Sequence, residues 1–350
     1  MTGPRTRVLV VDDSAVARKV LSEGLAQDDR IEVVGVARDA YEARDLIVQL
    51  DPRVITLDIE MPRMDGVEFL RRLMAHHPVR AVVVSSLSTR GSQIALDALA
   101  AGAVDVVGKP TRNLAGGTQA MLAELRTKVL IASTARIEHW KATRGPPPEP
   151  RTLAHTTHQV VAIGASTGGT EAIRAVLQEL PPTAPGVVVV QHMPVGFTAS
   201  FAARLNELTR LEVREAADHD RVIPGRALIA PAGRQLEVVR SGGDFLVQLR
   251  DGEKVSGHMP SVDVLFRSVA RACGANAVGL LLTGMGADGA DGLGAMRRAG
   301  GRTFAQDEAS SVVWGMPRVA WEQGAAEALV SLSAAATRVL DAVEEIACRG

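Results

Sequence analysis

The chain has 350 residues, 46% of them hydrophobic and 3% aromatic, with 39 Lys and Arg against 40 Asp and Glu. That length favours two domains, and balanced charge with so few rings argues against a nucleic-acid partner. No apolar run approaches the roughly 18 residues a membrane span needs, and residues 1–5 lead straight toward a strand. No signal peptide or membrane insertion is therefore expected, and the chain reads as cytoplasmic. Cys273 and Cys348 lie outside any metal-ligand spacing and read as reduced thiols.

The first 130 residues alternate β-branched runs with helical periodicity. Strands are expected at Val8–Val11, Ile31–Val36, Val54–Leu57, Ala81–Val84 and Val104–Val107. Helices are expected between them, and a last one can run over Met121–Trp140. Continuous apolar strands between helices predict a parallel sheet covered on both faces, with function at the carboxyl ends of the strands. Those ends carry Asp12-Asp13, Asp58, Ser85-Ser86 and Lys109-Pro110. Carboxylates converging on one rim favour a hard cation such as Mg²⁺, and a lysine and a hydroxyl beside them suit a phosphoryl oxygen.

These segments, with Asp58-Ile59-Glu60-Met61-Pro62-Arg63-Met64-Asp65-Gly66, resemble the receiver domain of two-component response regulators over residues 5–125. The resemblance implies a flavodoxin-like fold, Asp58 as phospho-acceptor, and a CheA-type histidine kinase as phosphodonor. It implies Mg²⁺ held by Asp12, Asp13, Asp58 and the backbone carbonyl of Glu60. Ser85 would be the switch hydroxyl and Lys109 the conserved-type lysine. Val106 departs from the pattern, because receivers often carry an aromatic residue three before that lysine.

Residues 126–157 read as a linker, helical and then proline-rich through Gly145-Pro146-Pro147-Pro148-Glu149-Pro150. His155 and His158 have no cysteine or carboxylate cluster beside them and read as solvated. From Gln159 a second alternating pattern begins. Strands are expected at Val160–Ile163, Val187–Gln191 and Val278–Leu282, with shorter ones at Leu211–Arg214, Ala227–Ala230, Gln235–Arg240 and Phe245–Leu249. Helices are expected at Phe197–Leu208, Ser261–Cys273 and Ala334–Cys348.

Gly164-Ala165-Ser166-Thr167-Gly168-Gly169 lies between a buried strand and a helix. That context suits a nucleophile with an oxyanion site at a helix N-terminus, and it also suits a plain glycine-rich turn or a phosphate loop. Ser166, His192 and Asp288 all fall just past the ends of candidate parallel strands, the pattern a serine, its base and the base's carboxylate need. The order Ser, His, acid fits α/β hydrolases poorly, since they run Ser, acid, His. A dinucleotide site would need glycine at position 166 and an acidic residue where Gln191-His192 stands.

Ile163–Gly169, Gln191-His192-Met193-Pro194, Pro260–Phe266, Leu282–Gly289, Ala305–Ser310 and Met316-Pro317-Arg318 resemble the catalytic domain of chemotaxis protein-glutamate methylesterases, the CheB family. Ala287 and Val313-Trp314 depart from the blocks. These blocks span nearly all of 160–320, the domain is expected over residues 158–350, and the resemblance predicts an α/β chain of two doubly wound parallel sheets, the second Rossmann-like. It implies a methylesterase and glutamine deamidase acting on methyl-accepting chemotaxis receptors. Ser166, His192 and Asp288 would be catalytic, the backbone near Thr167, Gly168 and Met285 would stabilise the oxyanion, and no cofactor would serve the ester step. A phosphorylated receiver would relieve occlusion of the Ser166 face. A non-catalytic binding module and an esterase for other acyl groups are the alternative readings.

Overall fold

A run such as Val187-Val188-Val189-Val190 is stable as a strand only when both of its faces are covered. The computed structural model, which describes residues 4–61, 64–110, 115–137 and 158–348, meets that condition in two parallel sheets. The chain divides into two compact units, Met1–Ala142 and Thr143–Gly350.

In the first unit, β1 (Thr6–Val11), β2 (Ile31–Ala37), β3 (Val54–Asp58), β4 (Arg80–Ser86) and β5 (Asp105–Lys109) form one sheet in the order β2-β1-β3-β4-β5. The helices α1 (Ala15–Leu25), α2 (Ala40–Leu50), α3 (Gly66–His76), α4 (Thr89–Ala101) and α5 (Ala115–Thr134) connect or follow these strands. Ser14, Asp39, Asp65 and Ser88 start the first four helices by accepting from backbone N–H groups of the first turn. Val8, Leu9, Val10, Val54, Ile55, Leu57, Val82 and Val83 are fully buried and form the centre of this core.

In the second unit, seven parallel strands run in the order β14-β13-β12-β6-β7-β9-β8. They are β6 (Val160–Ala165), β7 (Gly186–Gln191), β8 (Glu212–Glu215), β9 (Arg226–Ile229), β12 (Ala277–Leu281), β13 (Arg302–Gln306) and β14 (Ala328–Val330). Every residue of β6, β7 and β12 is buried. The helices are α6 (Gly169–Glu179), α7 (Thr198–Leu208), α8 (Val262–Cys273), α9 (Ala290–Arg298), α10 (Met316–Glu322) and α11 (Leu332–Ala347).

The α/β class and both parallel sheets follow the sequence reading, while two details differ from it. β10 (Gln235–Ser241) and β11 (Asp244–Arg250) leave the parallel sheet and pair antiparallel as a separate ribbon, which packs against α8. Along β11 only alternate residues are buried, as expected where one face meets the core and the other meets water. The helix expected over Met121–Trp140 is instead α5, which ends at Thr134 and is followed by irregular backbone at Ala135–Ile137. The proline-rich segment, His155, and Pro62-Arg63 of the Asp58 motif lie outside the described residues.

Candidate active site and receiver rim

Both sheets reverse their winding direction beside their first strand. In the second unit, β6 is followed on one side by β7 and flanked on the other by β12. Such a switch point leaves a crevice at the carboxyl ends of the central strands. Hydrogen bonds extend the β7-β6-β12 register past the ends of the strands. His192 N–H donates to the Ala165 carbonyl (3.1 Å), Leu282 N–H to Gly164 (2.8 Å) and Ser166 N–H to Thr283 (3.0 Å). Ser166, His192 and the loop leading to Asp288 therefore share one rim.

Ser166 is half-buried on the turn into α6. Gly168 caps that helix with φ +78, where a Cβ would also stand 2.6 Å from that of Val312. Gly284 must likewise be bare, because a Cβ there would stand 2.7 Å from Ser166 Cβ. The turn is held from below. Gln191 Nε2 donates to the Ser166 carbonyl (2.9 Å), and Thr283 Oγ1 donates to the Thr167 carbonyl (3.0 Å). Gln306 Oε1 accepts from Thr283 N–H (2.8 Å). Thr167 is buried, Gly168 is half-buried and Met285 is exposed on the same rim.

His192 Nε2 lies 2.9 Å from Asp288 Oδ2, with both side chains buried. An ionised carboxylate can only accept, so Nε2 carries the proton. Nδ1 is buried without a hydrogen-bond partner, so the Ser166 hydroxyl is not bonded to it in this state. The pair is thus the mirror of the arrangement in chymotrypsin-like proteases, where Nδ1 faces the carboxylate and Nε2 the serine.

Asp288 has three further donors from the start of α8. Ser261 Oγ donates to Oδ1 (2.7 Å), Val262 N–H to Oδ2 (2.7 Å) and Asp263 N–H to Oδ1 (3.2 Å). Burial pushes the Asp288 carboxyl up. The hydrogen bond and charge of His192, with Ser261 and Val262, outweigh it and hold the group below the ordinary carboxylate value. The helix N-terminus favours the same charged form. Asp263 differs: burial keeps it above the ordinary value despite the Gly292 N–H it accepts.

The receiver rim gathers the other predicted group. Asp12 and Asp58 are buried and Asp13 is exposed, and one carboxylate oxygen of each lies within 4.8 Å of the others. Lys109 Nζ donates to Asp58 (2.7 Å) and Asp12 (3.1 Å). Glu60 N–H donates to Asp58 (3.2 Å). Burial first, then Asp12, raises Asp58 above the ordinary value although Lys109 opposes both. Arg18 Nη1 holds the β1–α1 turn through the carbonyls of Asp12 (2.8 Å) and Asp13 (2.9 Å). Ser85 Oγ donates to the Gly91 carbonyl of α4 (3.1 Å) rather than to Asp58. Val106, where an aromatic residue is often found, is buried, and its carbonyl accepts from the half-buried Lys128 (2.6 Å).

Sequence reasoning missed Ser261, Gln191, Thr283 and Gln306 as supports of the rim. Ser261 alone left a local signal, as a serine at the N-cap of a helix.

Comparison with known proteins finds relatives of both units. The family model described as CheB methylesterase matches residues 161–339, and that of the response regulator receiver domain matches residues 8–115. A protein-glutamate methylesterase/protein-glutamine glutaminase of Syntrophotalea carbinolica is 58% identical over 97% of this chain and 98% of its own. One of that name, numbered 2, from Pseudomonas aeruginosa is 52% identical over 95% of each. The crystal structure of the Thermotoga maritima CheB methylesterase catalytic domain superposes with TM-score 0.52 and 34% identity, over 53% of this chain and 98% of that one. With matches of this extent, the protein belongs to the CheB methylesterase family, with a response regulator receiver domain ahead of the esterase domain.

Proposed function

We propose that this chain is a phosphorylation-controlled protein-glutamate methylesterase and protein-glutamine glutaminase acting on methyl-accepting chemotaxis receptors. The observation that carries the reading is the His192–Asp288 pair, with Nδ1 left unbonded on the rim that holds Ser166.

Ser166 Oγ attacks the carbonyl carbon of a glutamyl methyl ester as its proton passes to His192 Nδ1. Asp288 stays ionised at Nε2 and stabilises the imidazolium. The oxyanion is met by backbone N–H groups of the Thr167–Gly168 turn and Met285. Each such donor is worth about 2.7–4 kcal/mol in hydrolases of this kind. The carbon–oxygen bond to the methoxy group then breaks, and the Nδ1 proton leaves with methanol. Water, deprotonated by the same nitrogen, cleaves the acyl-serine and frees a glutamate side chain. With glutamine the leaving group is ammonia. These steps use only side chains and backbone of the esterase unit.

The receiver supplies control. Three converging carboxylates are oxygen donors suited to Mg²⁺, which Asp12, Asp13, Asp58 and the Glu60 carbonyl would hold. Bound there, the ion would offset charge on a phosphoryl group arriving at Asp58 from a CheA-type histidine kinase. Phosphorylation adds charge and acceptor oxygens, and in this reading Lys109 and the Ser85 hydroxyl, on leaving the Gly91 carbonyl, answer it. We assign the receiver to residues 5–125 and the esterase to 158–350, with phosphorylation relieving occlusion of the Ser166 face.

The test is methanol release from methyl-esterified receptor cytoplasmic fragments, with and without a small phosphodonor and Mg²⁺. Release is expected to need Ser166 and to rise with phosphodonor only when Asp58 is present. Full release by a folded Ser166→Ala variant would overturn the mechanism. A fragment lacking residues 1–140 is expected to exceed the basal rate of the whole chain.

A further inference from the structure

One hydrogen bond fixes where an imidazole nitrogen lies without fixing the plane of the ring. The Nε2–Asp288 contact leaves His192 free to swing about that axis, and a swing would carry Nδ1 away from the serine. The ring of His258 removes this freedom. The two imidazoles stack with centroids 3.7 Å apart and planes 8° from parallel.

His258 is itself delivered by a built feature. Val255 and His258 exchange backbone hydrogen bonds (3.0 and 2.9 Å) across Ser256 and Gly257, both with positive φ (53° and 81°). Two such central residues form the tight hairpin turn that matches strand twist. The buried Gln235 side chain fastens the segment to β10. Its Nε2 donates to the carbonyls of Glu253 (3.2 Å) and His258 (3.3 Å), and its Oε1 accepts from Ser261 N–H (2.8 Å). Gly233 N–H adds a bond to the Met259 carbonyl (3.1 Å). Immediately downstream, Ser261, Val262 and Asp263 hold Asp288. One stretch, His258–Asp263, therefore reaches both the base and its carboxylate.

We propose that His258 is a positioning residue of the esterase: its ring, stacked on His192, fixes the plane that aims Nδ1 at Ser166. The inference rests on the reading of Ser166, His192 and Asp288 given above. His258 acts through His192 and has no part in bond making. What the role requires is a flat aromatic face; a titratable nitrogen is not needed.

The full-length protein is assayed for methanol release as wild type, Ser166→Ala, His258→Ala, His258→Gln and His258→Phe, each with its melting temperature. Misaligning a base by about 1 Å costs up to roughly a hundredfold, so His258→Ala and His258→Gln are expected to lower kcat by about ten- to a hundredfold, with KM within about twofold. His258→Phe keeps a stacking ring and is expected to recover kcat to within about threefold of wild type. Imidazole ¹⁵N NMR of His192 needs no substrate. It is expected to give one sharp set of ring resonances, protonated on Nε2, in wild type and His258→Phe, and exchange-broadened ring resonances in His258→Gln, where the ring swings with Nε2 still on Asp288. Wild-type kcat in His258→Gln, or a Phe variant as slow as the Gln variant at equal melting temperature, would overturn the proposal. Methanol release that survives Ser166→Ala would instead overturn the reading beneath it. The NMR comparison would still decide whether the stack fixes the ring, and ring resonances in His258→Gln as sharp as in wild type would reject it.

Discussion

The two rims of this protein solve opposite problems with the same architecture. Each lies at the switch point of a doubly wound sheet, and each holds a buried aspartate, Asp58 as the last residue of β3 and Asp288 on the loop after β12. Asp58 is balanced by a lysine side chain that it shares with Asp12, and Lys109 remains about a third exposed. Burial wins there, and the carboxyl rises above its ordinary value. Asp288 meets His192, a serine hydroxyl and two backbone N–H groups at the start of α8. There the donors win over burial, and the carboxyl falls. A lysine can re-aim when a phosphoryl group arrives, whereas backbone amides on a helix cannot move alone. The difference separates a carboxylate that reacts from one that must stay charged and still.

The sharpest way to break the comparison is Asp288→Asn. An amide can present its NH₂ to Nε2 and so stabilise the wrong tautomer, with the proton on Nδ1. In a comparable triad this change costs about 10⁴ in kcat while the geometry survives. A loss of that order in methanol release is expected here. A fall of less than about tenfold would mean that the fixed donors around Asp288 serve packing alone. The second test moves to the other rim. Lys109→Met leaves Asp12 and Asp58 facing each other without their shared cation. The phosphodonor-dependent increase in methanol release is expected to vanish, while release without phosphodonor persists. An increase of wild-type size would show that the cation at this rim is dispensable.

Much of this contrast was readable before any coordinates. The strands stood out because buried parallel strands are runs of Val, Ile and Leu, as in Val8–Val11 and Val187–Val190. Aspartates, serine and histidine directly after such runs are conspicuous, since loops carry them toward the rim. The β10–β11 ribbon was legible in part. Val247 and Leu249 alternate with the polar Gln248 and Arg250, and Gly242-Gly243 marks the turn, yet nothing local says the ribbon leaves the main sheet. The three-residue β14 and the seven-residue α10 carry too little periodicity to be seen. The His258 stack was invisible for a different reason. Its partner is chosen by a hairpin turn and a glutamine clamp, which set position in space and leave no periodic trace. Which nitrogen of His192 meets Asp288 is likewise a matter of tertiary geometry.

The smallest expected effect is in stability, and it sharpens the comparison because its sign differs between the rims. Asp288 titrates below its unfolded value when folded, so it contributes stability above the ordinary carboxylate pKa of about 3.9 and loses it as pH falls through the lowered value. Asp288→Asn is therefore expected to lower the denaturant midpoint of the esterase transition at pH 7 and equally at pH 5. Loss of a hydrogen-bonded buried charge of this kind is worth about 1–3 kcal/mol. Asp58 titrates above its unfolded value, so its charged form opposes folding, and that opposition is relieved as pH falls through the raised value. Asp58→Asn is expected to raise the receiver midpoint at pH 7, with a gain that shrinks as the pH is lowered. Urea titrations of both variants at pH 7 and pH 5 measure the two slopes. Shifts of the same sign would mean that both aspartates are governed by burial alone, and the distinction between a shared lysine and fixed helix donors would fail.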